Sequence, residues 1–189
     1  MKHMLVFGGA RSGKSRFAER MVQERSAGGK QVVYIATACP SSDPEMQSRI
    51  LHHQQQRPPH WTTVEQPLSL GAAIETYSRR DTIVIIDCLT VWLSNCLFSG
   101  KTDFPDVGTI TPPPAFTQER QALFNALASA AGEVMLVSNE VGMGIVPMGA
   151  VSRWFVDEAG RLNQDVAAVC ESVVWVAAGL PLYLKGQSC

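Results

Sequence analysis

Near its start the chain carries Gly8-Gly9-Ala10-Arg11-Ser12-Gly13-Lys14-Ser15, and this octapeptide restricts the fold more than any other feature. It fits the pattern G-x-x-x-x-G-K-[ST]. The glycines let the main chain wrap an anion while N–H groups at the start of the next helix face it. That geometry needs a strand before the loop and a helix after it. Met4-Leu5-Val6-Phe7 reads as a short buried strand, and Lys14 to about Ser26 as a helix ended by Gly28-Gly29. In this reading Lys14 reaches the β- and γ-phosphates of a nucleotide, Arg11 adds positive charge, and Ser15 ligates Mg²⁺. The competing explanation is a chance match, which the flanking strand and helix argue against.

The rest of the chain continues the alternation. Gln31–Ala36 is a strand, and Thr37–Pro44 a loop with Asp43 placed to cap a helix over Glu45–Gln56. Pro58-Pro59 stops that helix. Trp61–Glu65 reads as a short strand and Leu68–Arg80 as a helix. Thr82–Ile86 is the most apolar strand, and its unbroken apolar, largely β-branched run suits a parallel strand covered on both faces. Leu89–Phe98 is a helix. Ser99–Pro114 is rich in Gly and Pro and is expected to be a disordered loop. Thr117 is expected to cap a helix running to about Ala131. Glu133–Ser138 is a strand, Ser152 to about Cys170 a helix, and Val173–Val176 with Leu182–Leu184 a hairpin around Gly179-Leu180-Pro181. The expected fold is α/β of the P-loop NTPase-like (RecA-like) type. It has a mainly parallel central sheet flanked by helices, one domain over residues 1–189, and a short C-terminal hairpin.

Composition excludes several classes. Only 17% of the 189 residues are charged and the net charge is −1, so no basic field exists to hold nucleic acid or anionic lipid. No run approaches the roughly 20 apolar residues that span a bilayer, and the first residues do not read as a signal peptide. Five cysteines (Cys39, Cys88, Cys96, Cys170, Cys189) form no C-x-x-C pair. Their odd number speaks against a disulfide framework or zinc ribbon and fits a reducing cytoplasm. Cys88 and Cys96 sit among apolar residues and read as core.

Two further stretches carry chemistry. Asp87 directly follows the apolar strand, where an NTPase needs an acid to hold the metal or its water; the alternative is a carboxylate that caps the next helix. Glu45 to Arg57 contains His52 and His53. On a helix, Glu45, Arg49, His53 and Arg57 line one stripe, with His52 about 100° away. A solvated polar helix is one reading. The other is a nucleophilic imidazole that attacks phosphorus, with arginines neutralising the phosphates. A metal site is disfavoured because adjacent histidines diverge.

The chain resembles the bifunctional adenosylcobinamide kinase/adenosylcobinamide-phosphate guanylyltransferase family of cobalamin biosynthesis. The resemblance spans nearly all of it. It rests on G-G-A-R-S-G-K-S at 8–15, Y-I-A-T at 34–37, E-M-x-x-R-I-x-H-H at 45–53, R-P-x-H-W at 57–61, N-E-V-G-M-G-I-V-P at 139–147 and A-G-R-L-N-Q at 159–164. It implies two reactions: a nucleoside triphosphate, ATP or GTP, phosphorylates adenosylcobinamide, and GTP then donates GMP to adenosylcobinamide-phosphate. It implies a guanylylated histidine, which by motif position is His53, with Lys14 assisting. The family's nucleotide contacts carry over to Gly8, Gly9, Ala10, Arg11, Ser12, Gly13, Lys14, Ser15, Ala36, Thr37, Ala38, Gln54, Gln55, Gln56, Arg57, Glu65 and Asp87. Mg²⁺ falls to Ser15 and Asp87, and the family implies a homotrimer. Two departures stand out: Asp87 replaces the family's Glu, and the Gln54-Gln55-Gln56 run is unusual.

Asn139 and Glu140 end a strand at the edge where α/β ligands bind, although Gly142 and Gly144 also suit a plain turn. Arg153, Arg161 and Asn163 lie on or beside the last long helix. Trp61, Trp92, Trp154 and Trp175 read as packing. Two other functions fit the phosphate loop: a small-molecule kinase without nucleotidyl transfer, and a nucleotide-binding switch protein.

Overall fold

The computed structural model describes residues 2–38, 57–100, 103–145 and 147–186. The expected Glu45–Gln56 helix, its Asp43 cap, Cys39, Cys189 and both His52 and His53 lie outside the described residues. The described strands are β1 (His3–Gly8), β2 (Gln31–Ala36), β3 (Thr62–Glu65), β4 (Thr82–Asp87), β5 (Glu133–Asn139), β6 (Ser172–Ala177) and β7 (Leu180–Lys185). The described helices are α1 (Lys14–Ser26), α2 (Leu70–Tyr77), α3 (Leu89–Phe98), α4 (Pro114–Ser129) and α5 (Ala150–Val169).

The strands form one sheet in the order β3-β2-β4-β5-β1-β6-β7. All neighbours pair parallel except β6 and β7, which are antiparallel. The expected mainly parallel sheet with a closing hairpin is therefore present. Alternation along each strand sorts side chains onto two faces. Met4, Val6, Val32, Tyr34, Ile83, Ile85, Met135 and Val137 pack under Phe17, Ala18, Met21 and Val22 of α1. Leu5, Val33, Ile35, Val84, Ile86, Val134 and Leu136 face the other way, onto α2, α3, α4 and α5. Trp92 is wholly buried there and donates its indole N–H to the Leu68 carbonyl at 2.6 Å. No described helix is long and apolar enough to cross a membrane.

Three expectations need correction. First, α4 begins at Pro114, ahead of Thr117. Proline suits the first helical position because its φ is preset and its missing N–H would lack a partner anyway. Second, the segment before α4 is anchored where it is described. Ile110 is buried against Leu97 and Ala150, Phe104 packs beside them, and the Ala150 N–H donates to the Asp106 carbonyl at 3.1 Å. Two apolar side chains outweigh a Gly- and Pro-rich composition. Third, the hairpin turns at Ala178 and Gly179, whose φ values are 51° and 78°. Positive φ at both central residues matches the twist of paired strands. Leu180 and Pro181 thus belong to β7, where Pro181 sits on the outer edge opposite Val176.

His3 marks where β1 meets α4. Its Nε2 donates to the Leu127 carbonyl at 2.9 Å, and burial holds its pKa below the ordinary 6.5. The folded state therefore binds this proton less readily than the unfolded chain. His3 contributes its stability in full above pH 6.5, and that share is lost as pH falls through the folded pKa. Urea midpoints measured from pH 7.5 down to 5 should fall further for the parent than for His3→Gln. Parallel curves would remove His3 from the acid response.

Candidate functional site

Parallel pairing brings the carboxyl ends of β1, β2, β3, β4 and β5 to one edge. Ala36 pairs with both Glu65 and Asp87, and Gly8 pairs with Asn139. In a parallel α/β sheet this edge is where ligands bind.

The phosphate loop joins β1 to α1 at this edge. Arg11 and Gly13 adopt φ of 57° and 91°. The Ser12 N–H donates to the Gly9 carbonyl at 3.2 Å. No side chain caps α1, and its first turn contains no acid. Among the described residues its first N–H groups therefore have no side-chain cap, which leaves them to an anion. A Cβ on Gly8 would lie 2.2 Å from the Val176 carbonyl oxygen, so only glycine fits. The hairpin turn braces the loop from the other side, with the Gly179 N–H donating to the Ser12 carbonyl at 2.8 Å.

Lys14 is buried and reaches back to the Gly9 carbonyl at 3.3 Å. Burial lowers its pKa, while Cys88 and Asp87 act in the opposite sense. Asp87 ends β4 and accepts a hydrogen bond from the Tyr34 hydroxyl at 2.8 Å. Thr37 locks the neighbouring chain in place. Its Oγ1 accepts from the Cys88 N–H at 2.8 Å and donates to the Cys88 carbonyl at 2.9 Å. Asn95 donates to the Thr37 carbonyl at 2.8 Å. Ala36, Thr37 and Ala38 are thus held beside Asp87. Glu65 shares the edge on β3 with its side chain exposed. Gln54, Gln55, Gln56 and His53 lie outside the described residues.

Arg57 lays its guanidinium over the Tyr34 ring, 3.7 Å from the centroid. Its Nε and Nη1 are buried without a hydrogen-bond partner among the described residues. Glu19 faces the same region. Burial pushes its carboxyl up to about 7, Asp87 reinforces the shift, and Arg57 opposes it. Sequence reasoning assigned no role to Glu19 or Tyr34. The spacing of Glu19, one helical turn after Ser15, was the available signal, together with a phenol on a buried strand whose hydroxyl needs a partner. Lys14, Ser15, Asp87, Tyr34, Glu19 and Arg57 can together hold a polyanion with its cation beside the loop. Among the described residues no group of three or more His, Cys, Asp or Glu could hold a metal ion alone.

The Glu19 shift sets a pH response of the nucleotide-free protein. The folded pKa is raised above the unfolded 4.5, so this group's stability is full below 4.5 and is lost as pH rises through about 7. Glu19→Gln should therefore raise the melting temperature at pH 8 more than at pH 5. An equal change at both values would contradict the assignment.

A family model described as "Cobinamide kinase / cobinamide phosphate guanyltransferase" (CobU) matches residues 4–184. The chain is 45% identical over 183 residues to the bifunctional adenosylcobalamin biosynthesis protein CobP of Pseudomonas aeruginosa, covering 97% of each. It is 41% identical over 184 residues to the protein CobU of Escherichia coli, covering 96% of this chain and 99% of that one. Among solved structures, the flagellar accessory protein FlaH from Methanocaldococcus jannaschii aligns with a TM-score of 0.51 at 10% identity. That alignment covers 98% of this chain and 79% of FlaH, and it bears on the fold alone. A sheet of this order with a glycine loop at its carboxyl edge, and likeness over almost the whole length, lead to one assignment: the chain belongs to the CobU family of cobinamide kinase / cobinamide phosphate guanyltransferases.

Proposed function

We propose that this chain performs both reactions of its family on one nucleotide site. It phosphorylates adenosylcobinamide with ATP or GTP, then transfers GMP from GTP to adenosylcobinamide-phosphate. The observation that carries the reading is a phosphate loop whose uncapped helix, buried Lys14 and neighbouring Asp87 share one sheet edge.

In the transferase half, a neutral His53 nitrogen attacks the α-phosphorus of GTP. The bond to the bridging oxygen breaks and pyrophosphate leaves. Lys14, Arg11 and the loop N–H groups stabilise charge on that leaving group. A phosphate oxygen of the cobinamide then displaces His53 and takes the GMP. In the kinase half a hydroxyl attacks the γ-phosphorus, and no protein nucleophile is needed. Ser15 and Asp87 are hard oxygen donors without a soft ligand between them, a set that fits Mg²⁺. When bound, Mg²⁺ would supply charge neutralisation on the phosphates.

The family likeness also supports a homotrimer in the cytoplasm. Met143, Ile145 and Met148 are 76%, 100% and 91% exposed on one loop, and β7 exposes Leu180, Leu182 and Leu184. Apolar surface of this kind suits burial in an assembly. Light scattering should then report about three times the 20.6 kDa chain mass.

GTP labelled separately at its α- and γ-phosphates tests the chemistry. With Mg²⁺ and no cobinamide, an acid-labile, alkali-stable adduct on His53 should retain label from the α position only. His53→Ala should abolish guanylyl transfer and keep phosphorylation of adenosylcobinamide. Protein that binds GTP but forms no adduct would leave a plain kinase. Failure of cobinamide to stimulate turnover would favour a switch protein.

A further inference from the structure

Asn139 closes β5, the strand that lies between β1 and β4. It pairs with Gly8, which opens the phosphate loop, and Val137 two residues earlier pairs with Asp87. Met135 and Val137 belong to the core beneath α1. Alternation therefore turns the Asn139 side chain to that same face, towards the end where Lys14 begins α1.

Its main chain is fixed on every side. The Asn139 N–H donates to Thr90 Oγ1 at 3.0 Å, and its carbonyl accepts from Asn163 Nδ2 at 3.2 Å. The next N–H, of Glu140, donates to the Gly8 carbonyl at 3.0 Å. The side-chain amide has a different standing. Among the described residues its hydrogen-bond contact is Cys88 Sγ at 4.0 Å, a long contact to a weak acceptor. Cys88 also lies near enough to Lys14 to act on its charge. A rigid main chain thus holds an uncommitted N–H₂ donor between β1, which leads into the loop before Lys14, and β4, which ends on Asp87.

We propose that Asn139 is a substrate-contacting residue whose Nδ2 donates a hydrogen bond to the terminal phosphate of the bound nucleoside triphosphate, serving γ-phosphoryl transfer more than nucleotidyl transfer. This rests on the bifunctional reading above. A hydrogen bond to an anionic phosphate is charge-assisted and stronger than a neutral one. In the kinase step the acceptor hydroxyl oxygen bonds to the γ-phosphorus. The bond to the bridging oxygen breaks, the diphosphate leaves with the electron pair, and the hydroxyl proton passes to water. Charge then shifts across the group that Asn139 touches. In nucleotidyl transfer the bond broken is at the α-phosphorus, and the terminal phosphate rides on the leaving pyrophosphate. Asn139 there acts on binding more than on the transition state.

The test measures GTP and GDP affinity with Mg²⁺ by calorimetry, and both transfer rates, for Asn139→Ala, Asn139→Asp and Asn139→Ser. Asn139→Ala should weaken GTP about tenfold or more while GDP stays within about twofold, the size expected for a hydrogen bond to a charged group. Asn139→Asp should be worse, because a carboxylate then faces the phosphate. Asn139→Ser, which keeps a donor and serves if Asn139→Ala fails to fold, should fall between the parent and Asn139→Ala or Asn139→Asp. The kinase kcat should drop more than the guanylyltransferase kcat. Equal weakening of GTP and GDP, equal loss of both rates, or no change would overturn the proposal. If the parent itself lacks both activities, the bifunctional reading fails, and the GTP-to-GDP ratio still decides the role of Asn139.

Discussion

Parallel pairing of β4, β5 and β1 is the constraint on which the rest depends. It brings Asp87, Asn139 and Gly8 to one edge, Gly8 level with Asn139 and Asp87 level with Val137 two residues earlier, although long stretches of chain separate them. Each of these strands is covered on both faces, so register cannot slip without moving a whole apolar set into the wrong layer. The core thereby fixes the spacing of the polar residues at its rim. The site needs no dedicated scaffold of its own.

Burial at that rim acts on opposite charges in opposite directions. It lowers the pKa of Lys14 and raises that of Glu19, in both cases by disfavouring the charged form. The Tyr34 hydroxyl and the Arg57 guanidinium join Asp87 and Glu19 into one connected group. A triphosphate brings further negative charge to this group. It favours the ammonium of Lys14 and the neutral carboxyl of Glu19, so ligand and protein are coupled through protonation as well as contact.

Much of this was legible in the sequence, for local reasons. The phosphate loop, the bounds of α1, β2 and α3, and the buried β4 follow from short-range pattern. The start of α4 was misread because Thr117 offered a cap while Pro114 offered a better first residue. The anchoring of Ile110 and Phe104 depends on α3 and α5, which no local pattern in that segment reveals. At the site, the loop residues and Asp87 announced themselves by type and position. Asn139 was legible as the end of a strand at the ligand edge, without a role; Glu19 and Tyr34 were not, because their importance comes from strand order and from which face a side chain takes.

The contact between the hairpin turn and the phosphate loop has a consequence for how the chain is made. Ser12 and Gly179 are far apart in sequence, yet one holds the other through a main-chain hydrogen bond. On the ribosome the loop emerges early and its brace emerges late. Until β6 and β7 are released, Gly8 has no Val176 carbonyl behind it and the Ser12 carbonyl has no Gly179 N–H to accept from. Competence to grip a nucleotide is therefore acquired only once β6 and β7 have emerged, and a nascent chain carrying the complete glycine motif is until then an unfinished binder.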